Sequence, residues 1–171
     1  MLYNTCDMNI TNEIISAYLD NLYDNENRKL MELRKFAEER HIPIILRDTE
    51  ELLKVIMKLK EPARVLEIGT AVGYSSCVFA DCCDCTVLTI EADDYFAEIA
   101  ETNINTIGFA DRIKVLRGDA RVMLQKMING EQSPGGSRIT EEGLFDVLFI
   151  DAAKSHYRDF WDLAVPLMKD E

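Results

Sequence analysis

Glu67, Gly69, Gly73 and Glu91 are the residues whose types and spacing point most directly to chemistry. Val65-Leu-Glu-Ile-Gly-Thr-Ala-Val-Gly73 is a short apolar run that closes in an acid and two glycines, and Glu91 follows 22 residues after Gly69. A buried strand that hands over to a helix within a few residues needs glycine, both for the turn and for close backbone approach to a ligand. An acid at the end of the next strand then meets ribose hydroxyls. The E-x-G-x-x-x-G spacing differs from the G-x-G-x-x-G that surrounds a pyrophosphate. The pattern therefore points to a nucleoside-bearing cofactor without that group. A tight strand-to-helix turn with no ligand is the plain alternative. The later Gly118-Asp119-Ala120 turn favours the cofactor.

These residues need a scaffold, and the periodicity supplies one. Strands are predicted over 64–68, 86–90, 112–116 and 145–150, alternating with helices over 74–81, 94–106, 120–128 and 156–168. That alternation is the signature of a parallel sheet covered on both faces, an α/β fold of Rossmann-like type. A helical lead-in precedes it. Ile14, Ile15, Tyr18, Leu19 and Leu22 follow Thr11, a candidate N-cap, and a second helix carries Leu30, Leu33, Phe36 and Ala37. Asp48 with Glu51 resembles a capping box that opens a third helix through Leu52, Leu53, Ile56 and Met57. Residues 129–143 read as a long polar surface loop. One domain is expected, with residues 1–61 as lead-in and 62–171 as core.

Composition bounds the rest. At 171 residues, 47% hydrophobic and 29% charged, the chain has ordinary globular make-up. It shows no apolar run of membrane-spanning length and no signal-peptide pattern, so a cytoplasmic protein is expected. Five cysteines, an odd number, fit a reducing compartment. Cys77, Cys82, Cys83 and Cys85 lie too close together at a helix end to converge on one zinc, and read as small buried hydrophobes. A net charge of −12 argues against a broad nucleic-acid surface. Locally, Arg28, Lys29, Arg34, Lys35, Arg40 and Arg47 concentrate positive charge, interleaved with Glu26, Glu32, Glu38 and Glu39. A solvated helix face and a phosphate-binding patch both fit that stretch.

Four ordered blocks carry a family likeness: Val65 to Ser76, Thr89-Ile-Glu91, Arg117-Gly-Asp-Ala120, and Phe145-Asp-Val-Leu-Phe-Ile-Asp-Ala-Ala-Lys154. From about Thr11 onward the chain resembles the metal-dependent S-adenosylmethionine O-methyltransferases related to catechol and caffeoyl-CoA methyltransferases. Within them it is most similar to the bacterial tRNA 5-hydroxyuridine methyltransferases, which share the lead-in and a segment like His41-Ile-Pro-Ile44. The resemblance implies methyl transfer from S-adenosylmethionine to a hydroxyl oxygen, of 5-hydroxyuridine in tRNA or of a small phenolic acceptor; a non-catalytic cofactor-binding fragment is the alternative, and a homodimer is expected.

The resemblance also assigns roles. Gly69, Thr70, Gly73, Tyr74 and Ser75 would receive the methionine carboxylate, Glu91 the ribose hydroxyls, and Asp119 with Ala120 the adenine edge. Ile45, beside Ile44, matches a segment that borders the cofactor, although two isoleucines also suit a core. Glu67 fits ligand contact and a structural role toward backbone amides equally. Asp151, at the end of the fourth strand, would ligate Mg²⁺ or Mn²⁺ and lie near the methionyl end of the cofactor, and Lys154 would be the general base. His156 has the right chemistry for a base but lacks a family counterpart, and Phe160 matches a position near the cofactor. The family continues past the fourth strand with further strands and an Asp-Asn pair that completes the metal site. A truncated sheet with an exposed apolar edge, or an edge covered by a partner, is therefore expected.

Overall fold

The computed structural model describes residue 18, residues 27–131 and residues 143–170. The expected first helix behind Thr11 and most of the 129–143 loop lie outside these residues. Two helices of the lead-in are described, α1 (Arg28–Glu39) and α2 (Arg47–Lys60). Asn27 caps α1, its side chain accepting from the Lys29 and Leu30 amides. Leu30, Leu33, Arg34 and Ala37 recur at helical spacing and form the buried stripe of α1.

The capping box predicted for α2 does not form. The helix starts one residue earlier than Asp48, with Leu46 at the cap and no side-chain cap bond. The Asp48 carboxylate accepts from the Thr49 amide, and Glu51 turns to Lys54 instead. Glu61, left-handed at φ 49°, ends α2 just before Pro62.

The core runs β1 (Arg64–Ile68), α3 (Tyr74–Cys82), β2 (Thr86–Glu91), α4 (Asp94–Ile107), β3 (Ile113–Arg117), α5 (Ala120–Ile128), β4 (Val147–Ile150) and α6 (Tyr157–Ala164). All described strand pairs are parallel, in the order β3-β2-β1-β4. Because side chains alternate along a strand, β1 and β2 feed two cores. Val65 and Val87 join α1, α2, α3 and α4 on one face. Leu66, Ile68, Leu88 and Ile90 join α5 and α6 on the other. Every residue of β1 is buried, as a central parallel strand requires. The expected α/β sheet with helices on both faces is thus the fold.

Two predicted elements are shorter than expected. The last helix spans Tyr157–Ala164 between 3₁₀ turns at Lys154–His156 and Val165–Leu167, because Pro166 has no amide to continue it. Strand β4 begins at Val147, since Asp146 turns its carboxylate back to accept from the Ala63 and Arg64 amides. Ahead of it Phe145 pairs with Met168. The Phe145 amide donates to the Leu167 carbonyl, and the Lys169 amide to the Phe145 carbonyl. The bridge covers only the stretch ahead of β4; among the described residues β4 itself lies at the edge of the sheet, pairs with β1 alone and is half-buried throughout.

No helix among the described residues is long and apolar enough to cross a membrane. Cys77 and Cys85 are buried and free, and burial pushes their thiols up to about 12 and about 11. Cys82 and Cys83 are only half-buried. The expected cluster of buried hydrophobes holds for the first two.

Candidate active site

The carboxyl ends of β1, β2 and β4 open onto one cavity of about 520 Å³. This is where open parallel sheets bind ligands, because loops diverge there to either face. Gly69 makes the tight geometry possible. At φ +100° it occupies a backbone region that L side chains avoid, and an added Cβ would come 2.4 Å from the Asp151 carbonyl oxygen. The Asp151 amide in turn donates to the Ile68 carbonyl. The ends of β1 and β4 therefore close against each other, which puts Asp151 at the cavity wall. Gly73, at φ +81°, caps α3 and sits against Ala100, behind the cavity rather than on it.

Glu91 organises the loop that follows β1. Its Oε2 accepts from the Thr70 amide at 3.1 Å and the Ala71 amide at 2.8 Å, and its Oε1 from the Asp93 amide at 3.0 Å. A carboxylate has about four acceptor positions, so three of them are committed to backbone. Glu91 still lines the cavity. Asp119 caps α5 through the Arg121 amide and pairs with the Arg121 guanidinium at 2.6 Å. Hydrogen bonding from Arg121 holds the Asp119 carboxyl down at about 2.

Glu67 is fully buried and is not on the cavity surface. Its partners are hydroxyls, not the backbone amides expected: Ser75 Oγ donates to Oε1 at 2.5 Å and Ser76 Oγ donates to Oε2. Burial pushes Glu67 up to about 7, against hydrogen bonds from Ser75, Ser76 and Thr89 that lower it. Next to it Thr70 and Thr89 share a hydroxyl contact of 2.5 Å.

A profile of the O-methyltransferase family matches residues 17–171. The chain belongs to that family. It is 28% identical over 161 residues to a caffeoyl-CoA O-methyltransferase of Populus kitakamiensis, covering 89% of this chain and 63% of that one. To a catechol O-methyltransferase of Niastella koreensis it is 25% identical over 161 residues, covering 92% and 68%. An O-methyltransferase from Bacillus cereus, solved in complex with SAH, superposes with a TM-score of 0.77 at 26% identity, covering 91% of this chain and 68% of that one. TomG of Streptomyces achromogenes, involved in tomaymycin synthesis and solved with SAM, gives 0.74 at 27% identity, covering 91% and 67%. The chain thus spans about two thirds of these relatives, and less of the Populus enzyme.

Most of the residues singled out from sequence converge. Ile45, Gly69, Thr70, Tyr74, Ser75, Glu91, Asp119, Ala120 and Asp151 all line the cavity. Glu67, Gly73 and Lys154 do not. Lys154 is exposed in the turn before α6, whereas His156, two residues on, lies at the cavity wall. His156 stands edge-on to Phe160, and its Nδ1 lies 3.6 Å from Asp159.

The structure adds Arg121, which sequence reasoning had passed over. Its place two residues after the Asp119 cap was the available signal. No group of three or more His, Cys, Asp or Glu that could hold a metal exists among the described residues. Asp151 alone does not fit a Mg²⁺ or Mn²⁺ site, since such ions need several oxygen ligands.

Proposed function

We propose that the chain binds S-adenosylmethionine in the cavity at the strand ends and serves transfer of its methyl group to a hydroxyl oxygen. The observation that carries this reading is the convergence of Gly69, Glu91, Asp119 and Asp151 on one cavity, in a member of a family with SAM- and SAH-bound structures. A volume of about 520 Å³ suits a ligand of nucleoside size. In the reaction the acceptor oxygen attacks the sulfonium methyl in line, an O–CH₃ bond forms as the S–CH₃ bond breaks, and S-adenosylhomocysteine leaves. The hydroxyl proton passes to a base.

The resemblance favours Lys154 for that base, and position at the cavity wall favours His156. Methyl-transfer rates of Lys154→Met and His156→Gln decide between them. No step is assigned to a metal. Metal dependence comes from the resemblance alone and would need ligands besides Asp151; loss of turnover in a chelator with recovery on added Mg²⁺ or Mn²⁺ tests it.

The acceptor we propose is 5-hydroxyuridine in tRNA, with a small phenol as the second reading because relatives carry caffeoyl-CoA and catechol names. The basic stretch is smaller than it looked. Arg34 is buried, and the Lys29 ammonium donates to the Thr106 and Ile107 carbonyls at the end of α4. Arg28, Lys35 and Arg40 remain exposed, and Arg47 is half-buried. The proposed assembly is a homodimer, which sedimentation would test.

Calorimetry with S-adenosylhomocysteine, followed by labelled methyl transfer to hydroxyuridine-containing tRNA and to catechol, tests the whole reading. Absence of binding overturns it, and label in catechol alone replaces the acceptor.

A further inference from the structure

The lead-in is fastened to the cavity through one buried side chain. Arg34, only 4% exposed, lies on the apolar stripe of α1. Its Nη2 donates to the Ile45 carbonyl at 2.9 Å and to Glu50 Oε2 at 2.6 Å, and its Nε donates to the Tyr74 hydroxyl at 3.0 Å. The guanidinium also lies 4.7 Å from the centre of the Tyr74 ring. Tyr74 closes the circuit by donating to Glu50 Oε2 at 2.7 Å, while Lys54 pairs with Glu50 Oε1 at 2.7 Å.

Two of these contacts reach the cavity. Ile45 and Tyr74 both line it. Residues 42–46 belong to no helix or strand, so no backbone ladder holds that wall. Its ends are tied by the Ile42 amide to the Ala37 carbonyl and by the Glu50 amide to the Leu46 carbonyl, and between them its place rests on packing of Ile44 and Ile45 and on the bond from Arg34. Tyr74 is the first residue of α3, directly after the Gly73 cap, so its orientation governs the start of the helix whose first residues line the cavity. A fastener with a purely structural task could be apolar at no loss of stability, since buried ion pairs seldom outperform good packing. A planar fork that reaches a carbonyl, a hydroxyl and a carboxylate together fixes direction as well as distance.

We infer that Arg34 is a positioning residue for the cofactor cavity, acting through the Ile45 carbonyl and the Tyr74 hydroxyl to set affinity for the S-adenosyl ligand. The inference rests on the reading that this cavity takes such a ligand.

The test is calorimetry of the full chain with S-adenosylhomocysteine. Arg34→Lys keeps the charge but cannot reach three acceptors at once, and is expected to weaken binding by about tenfold. Leu33→Ala on the same helix lowers stability without touching the network. Compared at a temperature where both are folded, it is expected to bind like the unaltered chain. Faster amide exchange over residues 42–46 in Arg34→Lys, absent in Leu33→Ala, is the second readout. Equal affinity of Arg34→Lys and the unaltered chain overturns the inference alone. Equal weakening in both variants also overturns it, because the role is then only structural. Failure of the unaltered chain to bind overturns the reading of the cavity together with it. Should Arg34→Lys fail to fold, Glu50→Gln substitutes for it, expected to weaken binding less, and unchanged affinity there overturns the inference.

Discussion

Two carboxylates, Glu50 in the lead-in and Glu67 in the sheet, are both fully buried, yet their surroundings differ in one respect. Glu50 has cations, Arg34 at 2.6 Å and Lys54 at 2.7 Å, together with the Tyr74 hydroxyl. Glu67 has the hydroxyls of Ser75 and Ser76. Hydroxyl donors stabilise a charge only in part, so burial dominates and pushes Glu67 up to about 7. A buried acid with counter-ions works as a cross-link between elements. One with hydroxyls alone is poised to change its charge near neutral pH, behind the cavity wall at Ser75.

The contrast can be broken first at Glu50. Glu50→Ala takes the buried carboxylate from Arg34 and leaves it only the half-exposed Glu38 at 3.0 Å, and is expected to cost about 3 kcal/mol in chemical denaturation, the low end for breaking a buried pair. A loss under about 1 kcal/mol would mean that the cation finds other compensation and that the pair is not a cross-link.

The Glu67 side of the contrast is sharpened by pH. The folded chain holds the Glu67 proton up to about 7, whereas an ordinary glutamate releases it near 4.5. Between those values the folded state carries a proton that the unfolded state lacks, so this group's contribution falls as pH rises through the window and is level above it. The expected span is about 3 kcal/mol. Glu67→Gln should flatten that part of the stability profile, and an unchanged slope would refute the titration.

A smaller effect is expected at Ser76. Ser76→Ala removes a donor to the carboxylate, so stability at pH 8 should fall by about 1–3 kcal/mol and less at pH 5, where Glu67 is protonated. Equal losses at both values would show that the hydroxyl serves packing rather than charge.

The smallest effect belongs to an acid outside the core. Asp119 is partly exposed and caps α5. Asp119→Ala should cost about 1 kcal/mol at neutral pH. Since Arg121 holds the Asp119 carboxyl at about 2, below its ordinary 3.8, the contribution is present above 3.8 and lost as pH falls through 2. Thermal melts at pH 7 and pH 2 check it.

Periodicity and glycine placement made the succession of strands and helices and most of the cavity wall legible in the sequence, but not the order of strands in the sheet. Gly69, Glu91 and Asp151 sit at strand ends, and strand ends follow from apolar runs that local sequence reveals. The Arg34, Glu50 and Tyr74 circuit was not legible, because its members come from three elements and meet only through packing. One signal was available: Arg34 occupies the stripe shared by Leu30, Leu33 and Ala37, where a charge demands a buried partner. Likewise spacing does not show which of Lys154 and His156 reaches the cavity, since one 3₁₀ turn holds both and only His156 lies at the wall. Pro166, by contrast, was a readable stop for α6.

The contact between Gly69 and the Asp151 carbonyl has a consequence for how variable each position can be. A library randomised at residue 69 should return glycine alone, because even the methyl of alanine meets backbone, which cannot rotate aside. At Gly118 the same methyl meets only the flexible end of Met123, and at Gly108 it meets nothing within 4 Å, so there the backbone angle alone opposes replacement. Position 69 should therefore be the least tolerant glycine of the described chain, and a change there would move the Asp151 carboxylate away from the cavity floor before it unfolded anything else.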